Sequence, residues 1–379
     1  MNEQTTRRGR IRIDGLEEHL SSDRADGDRT DADRPGDHRD ASDRQMAAAN
    51  TRPSATSAST GRSTLTPRDG TSARTVHSRS RLEESWRRFR SNRTALFGLA
   101  IVAVLSAVAI VARPVEFSTM GYTITLQPFS LAPYDPNELS VGPPNAGPSL
   151  AHPFGTDWAG RDLFSRVLVG GRYSLSIGAL AVALALCVGI PLGAIAGYVG
   201  GWLDEAIMRI VDMLYAFPFL VLAIAIVAIV GQGYWNVVFA LVVTGWLTYA
   251  RLLRGEVLSI VETDYVAASR ALGTPHRTIL ARHVVPNAVA PVIVQATLNV
   301  GSVVTAAAAL GFLGLGLEPG TAEWGAMLAQ GRSALLRGNW HVTVFPGAAI
   351  FLFVLAINLV GDGLTDALGS RDGRERRGR

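Results

Sequence analysis

Five long stretches of this chain contain no charged residue: Ala95 to Ala112, Tyr173 to Leu203, Met213 to Ala250, Val284 to Leu317 and Val342 to Gly361. A helix needs about 20 apolar residues to cross the hydrocarbon core of a bilayer. The third stretch is too long for one crossing, and Gly231-Gln232-Gly233-Tyr234-Trp235-Asn236 interrupts it with turn formers and interfacial aromatics. It reads as two helices, so the pattern predicts six spans and an all-α integral membrane protein. Composition agrees, since 48% of the 379 residues are hydrophobic and only 18% charged, against about 25% charged in soluble domains. Half of the charges precede position 94, which leaves 17 Arg and 17 acidic residues for the rest of the chain.

Residues 1–80 are rich in Arg, Asp, Ser and Thr and read as a disordered tail, because such a composition buries too little apolar surface to offset ordering. The organisation expected from there is a first span with its outer loop over 81–172, a domain of the remaining five spans over 173–368 and a basic tail over 369–379. Six spans place both termini on one side. With the termini cytoplasmic, the basic residues flanking the spans divide 17 inside against six outside, the bias that short loops obey. The segment Trp202 to Asp212 dissents, with Asp204, Glu205 and Asp212 against Arg209 alone. Arg209 and Asp212 are also spaced to pair within a helix.

Several classes of chemistry drop out. All 36 basic residues are Arg, so a Walker-type phosphate loop or a Schiff-base enzyme would lack its amine. The single Cys187 allows no disulfide framework or cysteine metal cluster. His152, His276, His283 and His341 do not fall at ligand spacing, and no Ser/His/Asp set is identifiable. Arg interleaved with Asp argues against a nucleic-acid partner. The charge-free centres of the spans argue against an ion-driven transporter, which needs an intramembrane relay.

The most informative polar segment is the connection 262–287. Its grammar is helix, turn, helix: Asp264 starts a run of helix formers, Gly273 supplies the left-handed residue that ends it, and Thr274 caps a second helix with Pro275 at its first position. The second helix is expected to stop at Pro286. The product is a compact knob with small residues and exposed Arg270, Arg277 and Arg282. Elsewhere, Gly189, Gly193 and Gly197 recur every four residues and form a smooth stripe for close helix packing. The polar segment Gly155 to Arg172, with Phe154, Trp158, Leu163 and Phe164 interspersed, reads as an interfacial helix.

At the knob the sequence resembles a known family. Tyr265-Val266-x-Ala268-Ser269-Arg270-Ala271-Leu272-Gly273, followed by Arg282-His283-Val284-Val285-Pro286-Asn287, is similar to the EAA loop of binding-protein-dependent ABC importer permeases. Gly155-Thr156-Asp157-x-x-Gly160-Arg161-Asp162-x-x-Ser165-Arg166, Phe312-Leu313-Gly314-Leu315-Gly316 with Trp324-Gly325-x-Met327-Leu328, and Asn358-Leu359-x-Gly361-Asp362-Gly363-Leu364 resemble the dipeptide, oligopeptide and nickel branch, specifically its second permease subunit. Departures occur at Ala267, where the loop pattern has its acid, at Ser269 in place of the second Ala, and at Gly311, Thr365 and Gly369.

The resemblance implies a type-1 importer permease with a MetI-like core, no catalysis and no cofactor of its own, ATP being used by a partner. It implies a second homologous permease subunit, two cytoplasmic ABC ATPases, an extracytoplasmic substrate-binding protein and a lipid bilayer as partners, with peptides as substrate and nickel or another small solute as the alternative. The implied ATPase-docking residues are Asp264, Tyr265, Ala268, Ser269, Arg270, Gly273, Arg277 and Pro286. Asp157, Arg161, Asp162, Arg166 and Trp324 are the implied contacts for the binding protein.

Overall fold

The computed structural model describes residues 81–114, 116–119, 122–125 and 130–369. The expected tail at 1–80 and the last ten residues lie outside them. The described residues are almost wholly helical. α1 (Arg81–Ser91) leads into α2 (Arg93–Val111), the first span, whose N-terminus is capped by Asn92: its Oδ1 accepts from the backbone N of Thr94 (3.1 Å) and Ala95 (3.2 Å). A two-stranded antiparallel hairpin, β1 (Glu116–Thr119) with β2 (Tyr122–Thr125), interrupts the helical pattern in the loop that follows, pairing Glu116 with Thr125.

α3 (Leu163–Val199) is a continuous helix of 37 residues that passes through Pro191 and stops at Gly200, where φ is +67°. It therefore starts ten residues before the predicted span at Tyr173, and the boundary expected between 172 and 173 falls inside it. α4 (Gly201–Tyr215) and α5 (Phe219–Val230) meet at 87° across Ala216-Phe217-Pro218. Pro218 explains the break, because its ring and missing N–H cannot continue a helix. α5 has 12 residues, about 18 Å at the helical rise and short of a full crossing. The third stretch is thus a bent pair of helices rather than one straight helix, and among the described residues the helices long and apolar enough to cross number five, or six when that pair is taken as one span.

α6 (Tyr234–Val261) is the fourth span, and a short α7 (Asp264–Ala271) forms the first half of the knob. Beyond Pro275, α8 (His276–Thr278), a π-helical turn Ile279–Val284 and α9 (Val285–Phe312) run on as one span. The second knob helix therefore does not end at Pro286. A proline has no N–H to donate and crowds the carbonyl four residues back, and the chain here widens by a π turn instead of breaking. α10 (Trp324–Leu335) and α11 (His341–Gly369) complete the chain.

The main core lies where α3, α5, α6, α7 and α9 meet, around Ile177, Leu241, Tyr249, Leu253, Val266, Ile279 and Val292. Lipid is as apolar as these side chains, so the spans are held by close packing rather than by exclusion from water. The glycine stripe shows how. A Cβ on Gly189 would lie 2.7 Å from the Trp246 carbonyl oxygen, one on Gly193 3.0 Å from the Ala250 Cα, and one on Gly197 2.8 Å from the Arg254 carbonyl oxygen. The stripe is spent on α6 of the same chain. On the far side, α2 packs on α11 through Gly98, whose Cβ would meet the Leu359 Cβ at 2.8 Å.

Candidate functional site

The knob is built from its termination signals. Asp264 in the first turn of α7 faces the positive end of the helix dipole. At the other end the Thr274 N–H donates to the Ser269 carbonyl (3.2 Å) and the Gly273 N–H to that of Arg270 (3.0 Å). This is the Schellman pattern, and it places Gly273 at φ +76°. No heavy atom lies within 4 Å of where its Cβ would be, so glycine is needed there for backbone conformation and not for space. Val266, Ile279 and Val284 are fully buried and anchor the knob in the main core. Tyr265, Ala267, Ala268, Ala271 and, above all, Leu272, which is 86% exposed, face away from it.

The arginines of the knob divide. Arg277 and Arg282 are exposed. Arg270 lies with its guanidinium 5.6 Å from the ring centre of Tyr198, near the end of α3. The Tyr198 hydroxyl in turn is hydrogen-bonded to His276 Nδ1 at 2.9 Å. Tyr198 thus ties both halves of the knob to α3. Neither Tyr198 nor His276 carries a motif that betrays the contact in sequence, since they are 78 positions apart. Pro286 is exposed at the start of α9, past the π turn, rather than at the end of a separate helix.

Beside the knob, α4 is held to α6 by paired charges. Arg254 donates from Nη2 to Asp204 Oδ2 at 2.6 Å and from Nε to Oδ1 at 2.5 Å, a bidentate fork. Arg251 pairs with Asp212, and Arg209 pairs with Glu205 at 2.8 Å. The expected Arg209–Asp212 pair does not form, because Arg251 from α6 takes the carboxylate.

The second polar cluster sits at the opposite end of α3. Asp157, Arg161, Asp162, Arg166 and Trp324 come together there, but all five are buried, none more than 4% exposed. They do not present a face to a partner, as the resemblance implied. The reason is local: Gly155 and Gly160 adopt φ of +79° and +73°, and Thr156 pairs with Asp162 across a β-bridge, so residues 155–162 form a folded turn and 163–172 the start of α3, in place of a separate interfacial helix. Asp157 accepts from the backbone N of Ala159 (2.8 Å) and from Arg161 Nε (2.7 Å), and Arg161 reaches Gln330 Oε1 at 3.0 Å. Asp162 caps α3 by accepting from the Ser165 N–H (2.8 Å) and is held by His152 Nδ1 at 2.9 Å. Arg166 donates to the Pro136 and Gly320 carbonyls, at 2.7 and 3.3 Å. Trp324 donates from Nε1 to the Val167 carbonyl at 2.9 Å. The motif is a clamp that gathers loop, α3 and α10.

Two further members of this end have roles that the sequence did not show. Arg172 donates to the Ala109, Ile110 and Arg113 carbonyls and so caps the C-terminus of α2. Glu323 caps α10, accepting from Gly325 N (2.9 Å), Ala326 N (2.8 Å) and Ser174 Oγ (3.0 Å). Burial pushes its carboxyl above the ordinary range, against those three bonds, which pull it down. Glutamate is not among the residues favoured at an N-cap, so the sequence carried no clear signal for this role. The surface nearby exposes Trp158, Leu335, Leu336 and Trp340 together with Arg332 and Arg337.

This architecture has known relatives. A family model described as "Binding-protein-dependent transport system inner membrane component" matches residues 189–372, and one described as "N-terminal TM domain of oligopeptide transport permease C" matches residues 80–148. The glutathione transport system permease protein GsiD of Escherichia coli O157:H7 is 44% identical over 286 residues, which cover 75% of this chain and 89% of GsiD. GsiD of Shigella boydii serotype 4 (strain Sb227) matches to the same extent. Among solved structures, a chain of the MetNI methionine ABC transporter, crystallised in inward-facing conformations, is 22% identical with a TM-score of 0.44, covering 52% of this chain and 93% of that one. The chain therefore belongs to the binding-protein-dependent transport system inner membrane components, as a non-catalytic ABC importer permease of the peptide, oligopeptide and nickel family.

Proposed function

We propose that this permease imports dipeptides and oligopeptides, and that the exposed tip of its knob, Tyr265, Ala268 and Leu272 with Ser269, Arg270 and Gly273 shaping it, docks in a groove of a cytoplasmic ABC ATPase. The observation that carries the reading is the mechanical continuity of the knob with a span: residues His276–Phe312 form one helical run. A force on the tip is thereby transmitted along the whole membrane-crossing helix. Val266 and Ile279 keep the knob from sliding, and the Tyr198 contacts pass the same motion to α3.

The complete importer is then a second homologous permease, two ATPases and an external substrate-binding protein, with both termini of this chain cytoplasmic. ATP is bound by the partners. Closure of the ATPase pair shifts the spans between inward-open and outward-open arrangements only in so far as the closed pair favours one of them. The binding protein meets the end of the bundle that carries Trp158, Leu335, Leu336 and Trp340, with the buried Asp157–Arg161–Asp162–Arg166–Trp324 clamp holding that end in shape. A peptide substrate is supported by the similarity to a glutathione permease, glutathione being itself a tripeptide. Nickel or another small solute is the alternative.

The test is affinity purification of the tagged protein in mild detergent, comparing wild type with Gly273→Pro. Proline cannot adopt the φ of +76° found there. An ATPase and a second permease are expected to co-purify with wild type, and the ATPase to be lost from the variant while the second permease remains. A protein that purifies alone sinks the docking reading. Uptake of labelled tri-alanine against labelled nickel then separates the two substrates.

A further inference from the structure

A cavity of about 230 Å³ opens between the α4–α5 bend, α6 and α9. Its polar centre is the pair Tyr249 and Asn299, whose side chains meet at 3.3 Å. Tyr249 lies 15 residues into the 28 of α6, and Asn299 lies 14 into the 28 of α9. Asn299 thus sits near the middle of the charge-free stretch Val284 to Leu317, and Tyr249 near the end of its own, two residues before Arg251. Resting on the proposed peptide import, we propose that this cavity is a station on the translocation path, where neutral hydrogen-bonding groups hold one peptide unit of the passing substrate.

The order of donors supports it. Gln295 Nε2 donates to Asn299 Oδ1 at 2.9 Å, and Asn299 Nδ2 donates to the Tyr249 hydroxyl. The tyrosine oxygen is thus occupied as an acceptor, and its own proton is left to donate to a substrate carbonyl. Thr244 and Ser302 line the same space, and a hydroxyl offers acceptor lone pairs to a substrate N–H. None of the thirteen lining residues is charged. Such a surface reads amides, which every peptide has, and ignores the charge of side chains.

Cost is the second argument. Asn, Gln and Ser on a membrane helix are retained where they meet other polar groups or water, because hydrocarbon satisfies none of them. The third is the backbone. Non-helical chain at membrane depth is tolerated where it lines a cavity, and Phe217 and Phe219, which flank the 87° bend, line this one. The volume is smaller than the roughly 300–1,000 Å³ of sites that enclose a drug-sized ligand. It suits a segment of a peptide in transit.

Two measurements on the complete importer in its membrane test the proposal. In a Cys187→Ala background, Ser302→Cys is labelled by the charged thiol reagent MTSET and compared with Val104→Cys, an exposed position of the first span. Ser302→Cys is expected to react about tenfold faster, since the reagent needs water to reach a thiolate; equal rates overturn the path. Uptake of tri-alanine and glutathione, supplied with the binding protein, is expected to fall about two- to tenfold in Tyr249→Phe, the range for one lost hydrogen bond. Asn299→Leu falls at least as far, with the co-purified ATPase unchanged. Full uptake by Tyr249→Phe overturns the assigned contact. If wild type imports neither peptide, the substrate reading and the peptide unit fall together, and Ser302→Cys labelling alone decides whether the cavity is a path.

Discussion

At the scale of single residues, conformation and burial make separable demands. Gly273 carries the left-handed residue that closes α7 with open space around it. Gly273→Ala is expected to cost about 1 kcal/mol, the price of a Cβ in that region, and to weaken ATPase co-purification without altering the melting of the membrane bundle. Glu323 gives a pH signature. Its carboxyl is held above the ordinary range by burial, so the folded protein binds that proton more tightly than the unfolded chain. Its contribution to stability is complete below the ordinary carboxyl pKa and is lost as pH rises through the raised value. Thermal melts in detergent are expected to shift down across that window, and Glu323→Gln to flatten the shift; an unchanged slope in the variant would show another group to be responsible.

At the scale of elements, the α3–α6 pair is the tightest test of packing. Gly193→Leu drives a side chain into the Ala250 backbone and is expected to lower stability by about 3 kcal/mol, the upper part of the usual overpacking range. Gly255, on the same α6 but with open space around it, is the control: Gly255→Ala is expected to raise stability by up to about 1 kcal/mol through helix propensity. Differential scanning fluorimetry on the purified variants reads both. The elements also show what was legible in advance. The position of α2 followed from the charge-free stretch Ala95 to Ala112, and the end of α7 from Gly273. The start of α3 did not: charged Arg166 and Arg172 lie inside the helix, Arg166 buried in the tertiary clamp and Arg172 half-buried against the end of α2.

At the scale of the whole molecule, the two polar clusters occupy opposite ends of α3, the clamp around Asp162 at its start and the Tyr198–His276–Arg270 contact at its end. Both termini are expected on the same face of the membrane. Reporter fusions made at Arg81 and Gly369 should then read one side, and a fusion within the loop 131–162 the other. Opposite readings for the two ends would mean that the bent α4–α5 pair does not cross.

Hydropathy alone determined that the chain lives in a bilayer, roughly where it crosses and where the knob is punctuated, because a span must satisfy its own backbone and its turns need particular residues. It could not say which face of a span packs, since lipid and protein interior are equally apolar and leave no periodicity to read. Tertiary structure alone decided that Asp157, Arg161, Asp162 and Arg166 are buried, that Arg251 and not Arg209 pairs with Asp212, and that α4 and α5 meet at 87°. It also brought Tyr249 to Asn299, fifty positions away in the chain. The Arg251–Asp212 and Tyr249–Asn299 contacts each join residues from different helices, which no local pattern in the sequence displays.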